Sequence, residues 1–150
     1  ATDKILNYLK DLAQQNLKIS IWGIAFKPNT SDIRESPILK VINELTRQGV
    51  SVNIYDPEAM EEGRKYFGHN GSISFSSECY ECLNESDLLV VATEWSQFHE
   101  LDFVKMKNRM RTPAVFDCKN IYDAETVSSE GVTYISIGNN KLNYGLRATS

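Results

Sequence analysis

The sequence predicts an α/β domain, a Rossmann-like three-layer α/β/α fold around a mostly parallel sheet of about six strands. Three observations predict it. Strand-like and helix-like segments alternate along nearly the whole chain, the order that βαβ units produce. "DLLVVAT" (87–93) is a continuous apolar run, the pattern of a strand buried on both faces of a parallel sheet. Parallel neighbours need crossovers, and amphipathic segments stand where the crossovers belong.

The elements follow in order. "ILNYLKDLAQQ" puts Ile5, Leu6, Leu9, Leu12 and Ala13 on one face of a helix over 4–15. "LKISIWGIAF" (17–26), rich in Ile and aromatics, reads as a buried strand. "SPILKVINELTRQGV" reads as a helix with Ser36 as N-cap, Pro37 in the first turn and Gly49 as the stop. Ile38, Val41, Ile42 and Leu45 form its apolar stripe. "SVNIYDP" (51–57) is a second strand closed by Asp56-Pro57, and "EAMEEGRKYF" is a weaker helix. "SISFS" (72–76) is a third strand, "SECYECLNES" a short helix, and 87–93 the fourth strand. "FHELDFVKMKNRM" is a further amphipathic helix, "TPAVFDC" (112–118) a fifth strand and "VTYISIG" (132–138) a sixth. Residues 139–150 carry little periodicity and read as a tail.

Composition narrows the function classes. A chain of 150 residues with 41% apolar and 24% charged residues has the size and makeup of one globular domain. No apolar run approaches the roughly 18–20 residues of a membrane span. The net charge of -4, with no basic block, argues against nucleic acid as the main partner. Three cysteines, Cys79, Cys82 and Cys118, do not make a secreted disulfide framework. "ATDKILNYLK" lacks the apolar core of a signal peptide, so the cytoplasm is the expected compartment and the three N-x-S/T triplets read as chance. Cys79 and Cys82 form C-x-x-C with no second pair for zinc, Cys118 has no neighbouring His in sequence, and His69 and His99 lie outside metal-ligand spacing.

Open parallel sheets bind ligands beyond the carboxyl ends of their strands. The first strand leads there to Phe26, Lys27, Asp32 and Arg34, the second to Asp56, the fourth to Thr93-Glu94-Trp95, and the fifth to Asp117-Cys118-Lys119-Asn120. Lys27, Arg34 and Lys119 then lie near one edge of the sheet, which could hold a diphosphate. The first loop carries no G-x-G-x-x-G and the chain has no Walker A sequence, so phosphate here must be held mostly by side chains. The plainer alternative is that Lys27 and Arg34 are solvated surface charges, with Asp32, Arg34 and Glu35 pairing across the turn.

"GIAFKPNTSDIRESP" (23–37) resembles the G-x-x-F-K-x-x-T-x-D-x-R-E-S-P motif of the nucleotide-sugar dehydrogenases that oxidise UDP-glucose, GDP-mannose and related sugars. "VNIYDPEA" is similar to that family's second strand and "GVTYISIG" to its last. "LLVVATEWSQFHELDF" resembles the T-E-W segment of the UDP-glucose dehydrogenases, and "VFDCKNIYD" the D-G-R-N motif. The likeness covers about 17–138.

The resemblance implies a C-terminal UDP-binding domain over 17–138, preceded at 1–16 by the end of a connecting helix from a central domain. It implies an enzyme that oxidises UDP-glucose to UDP-glucuronate in two NAD-dependent steps. NAD is bound mainly by an N-terminal domain and the nucleophilic cysteine sits in the central domain, so these 150 residues alone are expected to be inactive. The expected partners are the UDP-sugar, the two other domains of the same chain, and a second copy in a homodimer or higher oligomer. By position, Phe26 and Lys27 are expected to contact the nucleotide-sugar and Arg34 to reach NAD. Lys119 stands where the family has an arginine that meets UDP, and Cys118 where it has glycine. Lysine keeps the charge but loses the bidentate fork. The alternatives are the same domain of a GDP-mannose or UDP-N-acetylhexosamine dehydrogenase, or a stand-alone nucleotide-binding module.

Overall fold

The computed structural model describes residues 2–136. Its elements are α1 (Thr2–Asp11), β1 (Lys18–Trp22), α2 (Ile38–Arg47), β2 (Ser51–Tyr55), α3 (Met60–Phe67), β3 (Ile73–Phe75), β4 (Leu88–Val91), α4 (Phe103–Arg109), β5 (Ala114–Asp117), α5 (Ala124–Ser129) and β6 (Thr133–Ser136). Two short 3₁₀ turns, Glu81–Leu83 and Ser96–Phe98, lie before and after β4. No helix among the described residues is long and apolar enough to cross a membrane.

The six strands form one sheet in the order β3-β2-β1-β4-β5-β6, and every pairing is parallel. This is the doubly wound order, with its topological switch between β1 and β4. Successive side chains of a strand face opposite sides of the sheet, so a sheet covered on both faces needs apolar residues at every position. Ile19 and Ile21 of β1, Leu88 and Val90 of β4 and Phe116 of β5 pack into a core with Ile5 and Leu9 of α1 and Ile42 and Leu45 of α2. Trp22, Leu89, Val91 and Val115 face the other way, onto Leu83, Phe98, Met106 of α4 and Val127 of α5. The three layers are thus two helical layers around one sheet.

The register aligns the strand ends. Tyr55 pairs with Trp22, Trp22 with Val91, Val91 with Asp117 and Asp117 with Ser136, so the loops beyond them leave from one edge.

Several boundaries differ from the sequence expectation. The first strand stops at Trp22 rather than 26, because Gly23 turns the chain at φ +94° while Ile24 and Ala25 stay buried in the loop. The first helix ends at Asp11 rather than 15. The segment "SECYECLNES" forms only the 3₁₀ turn Glu81–Leu83. The long helix expected over 98–110 divides into the second 3₁₀ turn and α4, whose N-cap Asp102 accepts from the Lys105 amide at 3.1 Å. The helix α5 was not expected; Asp123 caps it by accepting from the Thr126 amide. Ser36 is not the N-cap of α2, which starts one residue later with Pro37 in the cap position and no side-chain cap. Gly49 does end α2, at φ +87° with its amide on the Thr46 carbonyl. The tail expected at 139–150 and the last two residues of the sixth strand lie outside the described residues.

Candidate functional site

The crevice beyond β1 and β4 begins at Gly23. Its amide donates to the Tyr55 carbonyl at 2.8 Å, and its α-carbon lies against Thr93, just past the end of β4. The next two amides, of Ile24 and Ala25, point to the second strand. Both donate to Oδ2 of Asp56, at 2.8 and 3.1 Å. Oδ1 of the same carboxylate accepts from the amides of Glu58 and Ala59, at 2.9 and 2.8 Å. Asp56 is fully buried, and four backbone donors satisfy it. In a dinucleotide domain the exit of the first strand offers its amides to a pyrophosphate. Here the chain's own carboxylate takes the two that follow Gly23.

The rest of the first loop folds on itself. The Phe26 amide donates to the Asp32 carbonyl at 2.8 Å, and the Asp32 carboxylate accepts from the amide, Nε and Nη2 of Arg34 at 2.9–3.0 Å. Hydrogen bonding from the Arg34 side chain holds the Asp32 carboxyl below its usual range, and the same bond raises Arg34. Arg34 nonetheless remains 86% exposed, so the pair is a surface fork that water screens. The pairing expected across this turn therefore forms between Asp32 and Arg34. Lys27 is exposed and, among the described residues, takes no hydrogen-bond or ion-pair partner.

On the other side of the switch, Asp117 ends β5 fully buried. Its Oδ1 accepts from the Lys119 amide at 3.1 Å; its Oδ2 accepts from the Tyr122 amide and the Tyr134 hydroxyl, both at 2.9 Å. These three bonds shape the 118–122 loop and turn Lys119 toward the crevice.

The two loops enclose a cavity of 170 Å³, walled by Phe26, Ser36, Ile38, Ala92, Cys118 and Lys119 among others. Of the four residues singled out in the sequence, Phe26 and Lys119 share this cavity. Arg34 lies instead with Phe26, Asp32 and Glu35 around a second hollow of 410 Å³. Lys27 lines neither. Phe26, 52% exposed, thus lines both hollows. Sequence reasoning missed Ser36 as a wall of the cavity, and it gave no hint that Asp56 and Asp117 build the two loops.

No thiol here is activated. Burial, then the Asp117 charge, pushes Cys118 up to about 12; burial pushes Cys82 to about 12, and burial with the Glu78 carboxylate pushes Cys79 to about 11. All three are protonated at neutral pH, and a thiol is a weak nucleophile without its thiolate. Alkylation by iodoacetamide at pH 7.5, followed by mass spectrometry, should therefore be slower than for free cysteine and should complete only in denaturant. Raised thiol values also contribute to the alkaline limb of stability. The folded state holds protons that the unfolded chain releases above about pH 9, so stability present below that pH is lost as pH rises toward 12. Urea midpoints measured from pH 8 to 11 should fall monotonically. Among the described residues, no three of His, Cys, Asp or Glu are grouped to hold a metal ion.

Comparison with known proteins accords with this geometry. The model of the UDP-glucose/GDP-mannose dehydrogenase family's UDP binding domain matches residues 20–124. The chain is 42% identical over 121 residues to the UDP-glucose 6-dehydrogenase of Rhizobium meliloti (strain 1021), covering 81% of this chain and 27% of that protein. It is 32% identical over 136 residues to UDP-glucose 6-dehydrogenase TuaD of Bacillus subtilis (strain 168), covering 91% and 29%. A solved UDP-glucose dehydrogenase from the archaeon Pyrobaculum islandicum superposes with a TM-score of 0.63 at 29% identity, over 77% of this chain and 25% of that one. The chain thus spans less than a third of the length of these relatives. It belongs to the UDP-glucose/GDP-mannose dehydrogenase family, of which it is the UDP binding domain.

Proposed function

We propose that this domain holds the nucleotide end of UDP-glucose for an NAD-dependent oxidation to UDP-glucuronate. The observation that carries the reading is the convergence of Phe26 and Lys119 on one cavity at the switch point of a 3-2-1-4-5-6 sheet. Curated relatives similar to it in sequence are named for UDP-glucose. Phe26 supplies an aromatic face for a base or sugar ring, and Lys119 and Lys27 supply point charges for phosphate. Binding energy from this remote end of the substrate positions the reacting carbon elsewhere.

NAD accepts the hydride in such a reaction. This chain fits only a minor part of it, since the amides that would cradle a pyrophosphate after β1 are bonded to Asp56. Arg34, exposed on the rim, is in this reading the residue that meets a cofactor held by another domain. The rest of the enzyme, in this reading, is an N-terminal NAD-binding domain and a central domain of the same polypeptide, assembled as a homodimer or larger in the cytoplasm. The 150-residue chain alone then shows no dehydrogenase activity.

Calorimetric titration with UDP tests the reading. The wild-type chain should bind UDP in preference to GDP. A charge-assisted bond contributes about 1.5–3 kcal/mol, so Lys119→Ala and Lys27→Ala should each weaken UDP at least about tenfold. Unchanged affinity in either variant removes that residue from the site, and preference for GDP transfers the domain to a GDP-sugar.

A further inference from the structure

The helical layer of α4 and α5 carries a groove that the nucleotide-binding reading leaves unused. Two adjoining hollows, of 380 and 440 Å³, share Glu100, Leu101 and Phe103. One wall is the segment 99–104, which enters α4. The other is 121–127, the loop beyond β5 and the start of α5. The Tyr122 hydroxyl donates to the Phe98 carbonyl and ties the two walls together. Leu101, Phe103, Ile121 and Tyr122 line the groove half-buried, and Val104 beside them is 66% exposed. Apolar side chains gathered along a concave surface are the usual mark of an interaction site.

The exposed part of the lining is acidic. Glu100, Asp102, Asp123 and Glu130 belong to it, and no lysine or arginine lines either hollow. Asp102 and Asp123 are engaged as helix caps. The Glu100 and Glu130 carboxylates pair with no cation among the described residues. Lys107 lies close, but its ammonium is bonded to the Glu130 carbonyl. The groove thus calls for an occupant with apolar side chains and positive charge. Two copies meeting groove to groove would set these carboxylates against one another.

The segment with that chemistry is the end of this chain. β6 stops at Ser136, which pairs with Asp117 and whose hydroxyl meets Asn120 Oδ1 at 2.9 Å. The chain therefore leaves the sheet beside the 118–122 loop, of which Ile121 and Tyr122 wall the groove. Residues 137–150 hold Lys141 and Arg147 and no Asp or Glu, in a chain of net charge -4. The segment has little periodicity as a whole, but Leu142, Tyr144 and Leu146 stand at every second position between those two cations. An extended segment sends alternate side chains to opposite sides, so these three share one side, and long basic side chains can reach a rim. Residues 137–141 span up to about 16–18 Å when extended, against the about 8–10 Å between neighbouring packed elements.

We infer that residues 141–147 dock in this groove, with Leu142, Tyr144 and Leu146 on its apolar lining and Lys141 and Arg147 on the Glu100 and Glu130 carboxylates. The inference stands apart from the UDP reading, since the groove and the cavity that Lys119 lines share no residue.

Amide NMR of the ¹⁵N-labelled protein tests it, in the 150-residue form and in one ending at Gly138. Every element of the fold lies within 2–136, so the shorter form should fold. Loss of 139–150 should move the amides of Leu101, Phe103, Ile121 and Tyr122 and leave those of β2 and α3 in place. An unlabelled peptide of residues 139–150, added to the shorter form, should return these signals saturably to their positions in the longer one. Glu100→Lys with Glu130→Lys should weaken the peptide about fivefold or more, and a peptide carrying Lys141→Glu and Arg147→Glu should regain affinity on that variant. A peptide carrying Leu142→Ser and Leu146→Ser should bind about tenfold more weakly or worse. Groove amides unmoved by truncation, shifts confined to β6, or equal binding of the wild-type, charge-reversed and serine peptides would refute the inference. Groove signals that move with protein concentration in the longer form would give the groove to a second copy and overturn it as well.

Discussion

Gly23→Ala is expected to destabilise the domain by about 2–5 kcal/mol, through two separate penalties. The first is conformational. Gly23 sits at φ +94°, where a side chain costs roughly 1–2 kcal/mol. The second is steric. A β-carbon there would lie 1.7 Å from Thr93 Oγ1, 2.8 Å from Thr93 Cβ and 3.1 Å from the Thr93 amide nitrogen. The hydroxyl can rotate away, but the threonine Cβ and backbone belong to the turn that leaves β4, so the two central strand exits must part. Overpacking of that kind costs about 1–3 kcal/mol. Urea unfolding measures the sum, and the melting temperature of a chain this size should drop by roughly 4–20 °C. Thr93→Ala in the same background should recover part of the steric share and none of the conformational one. Wild-type stability in Gly23→Ala would show that the turn is not needed.

Asp117→Ala should affect stability and ligand binding together. The substitution leaves two loop amides without their acceptor and leaves the buried Tyr134 hydroxyl only the longer bond to the Tyr122 carbonyl, at 3.4 Å. Net losses of about 1 kcal/mol per bond predict a cost of about 2–4 kcal/mol in urea unfolding. The Lys119 amide is one of the released groups, so UDP affinity should fall as well, although Asp117 itself does not line the cavity. Asp117→Asn keeps one carbonyl acceptor and should lose less of both. A variant that is destabilised yet binds UDP normally would confine Asp117 to the fold. Burial, then the hydrogen bond to Asp117, holds the Tyr134 hydroxyl well above the usual tyrosine range, so this bond persists at neutral pH.

The sequence shows the fold more clearly than the site, for physical reasons. Leu88 to Val91 is apolar at every position, which only a doubly covered strand requires, and α2 carries its stripe at helical spacing. Such periodicity is local, so it survives in one dimension. The apolar pattern runs past the end of the first strand because Ile24 and Ala25 are buried like strand residues while Gly23 has already turned the chain. Helix α5 is not legible in the sequence because "AETVSS" has a single buried apolar residue, Val127. At the site, residue types pointed to Phe26, Lys27, Arg34 and Lys119, but the grouping depends on contacts distant in sequence. Asp56 meets amides 31 and 32 residues away, and nothing local distinguishes it from a strand-ending aspartate. Ser36 carried the chemistry of a helix cap; the one-residue shift of α2 makes it a wall of the cavity instead.

The four bonds to Asp56 have a further consequence for how tightly a small domain can hold a nucleotide. A loop whose amides await an incoming phosphate must be ordered when the ligand arrives, and the lost entropy weakens the complex. By supplying that anion internally, this chain is preorganised at the exit of β1 in the empty state. Phe26, one residue past the last amide that Asp56 holds, is therefore set in place before the nucleotide binds.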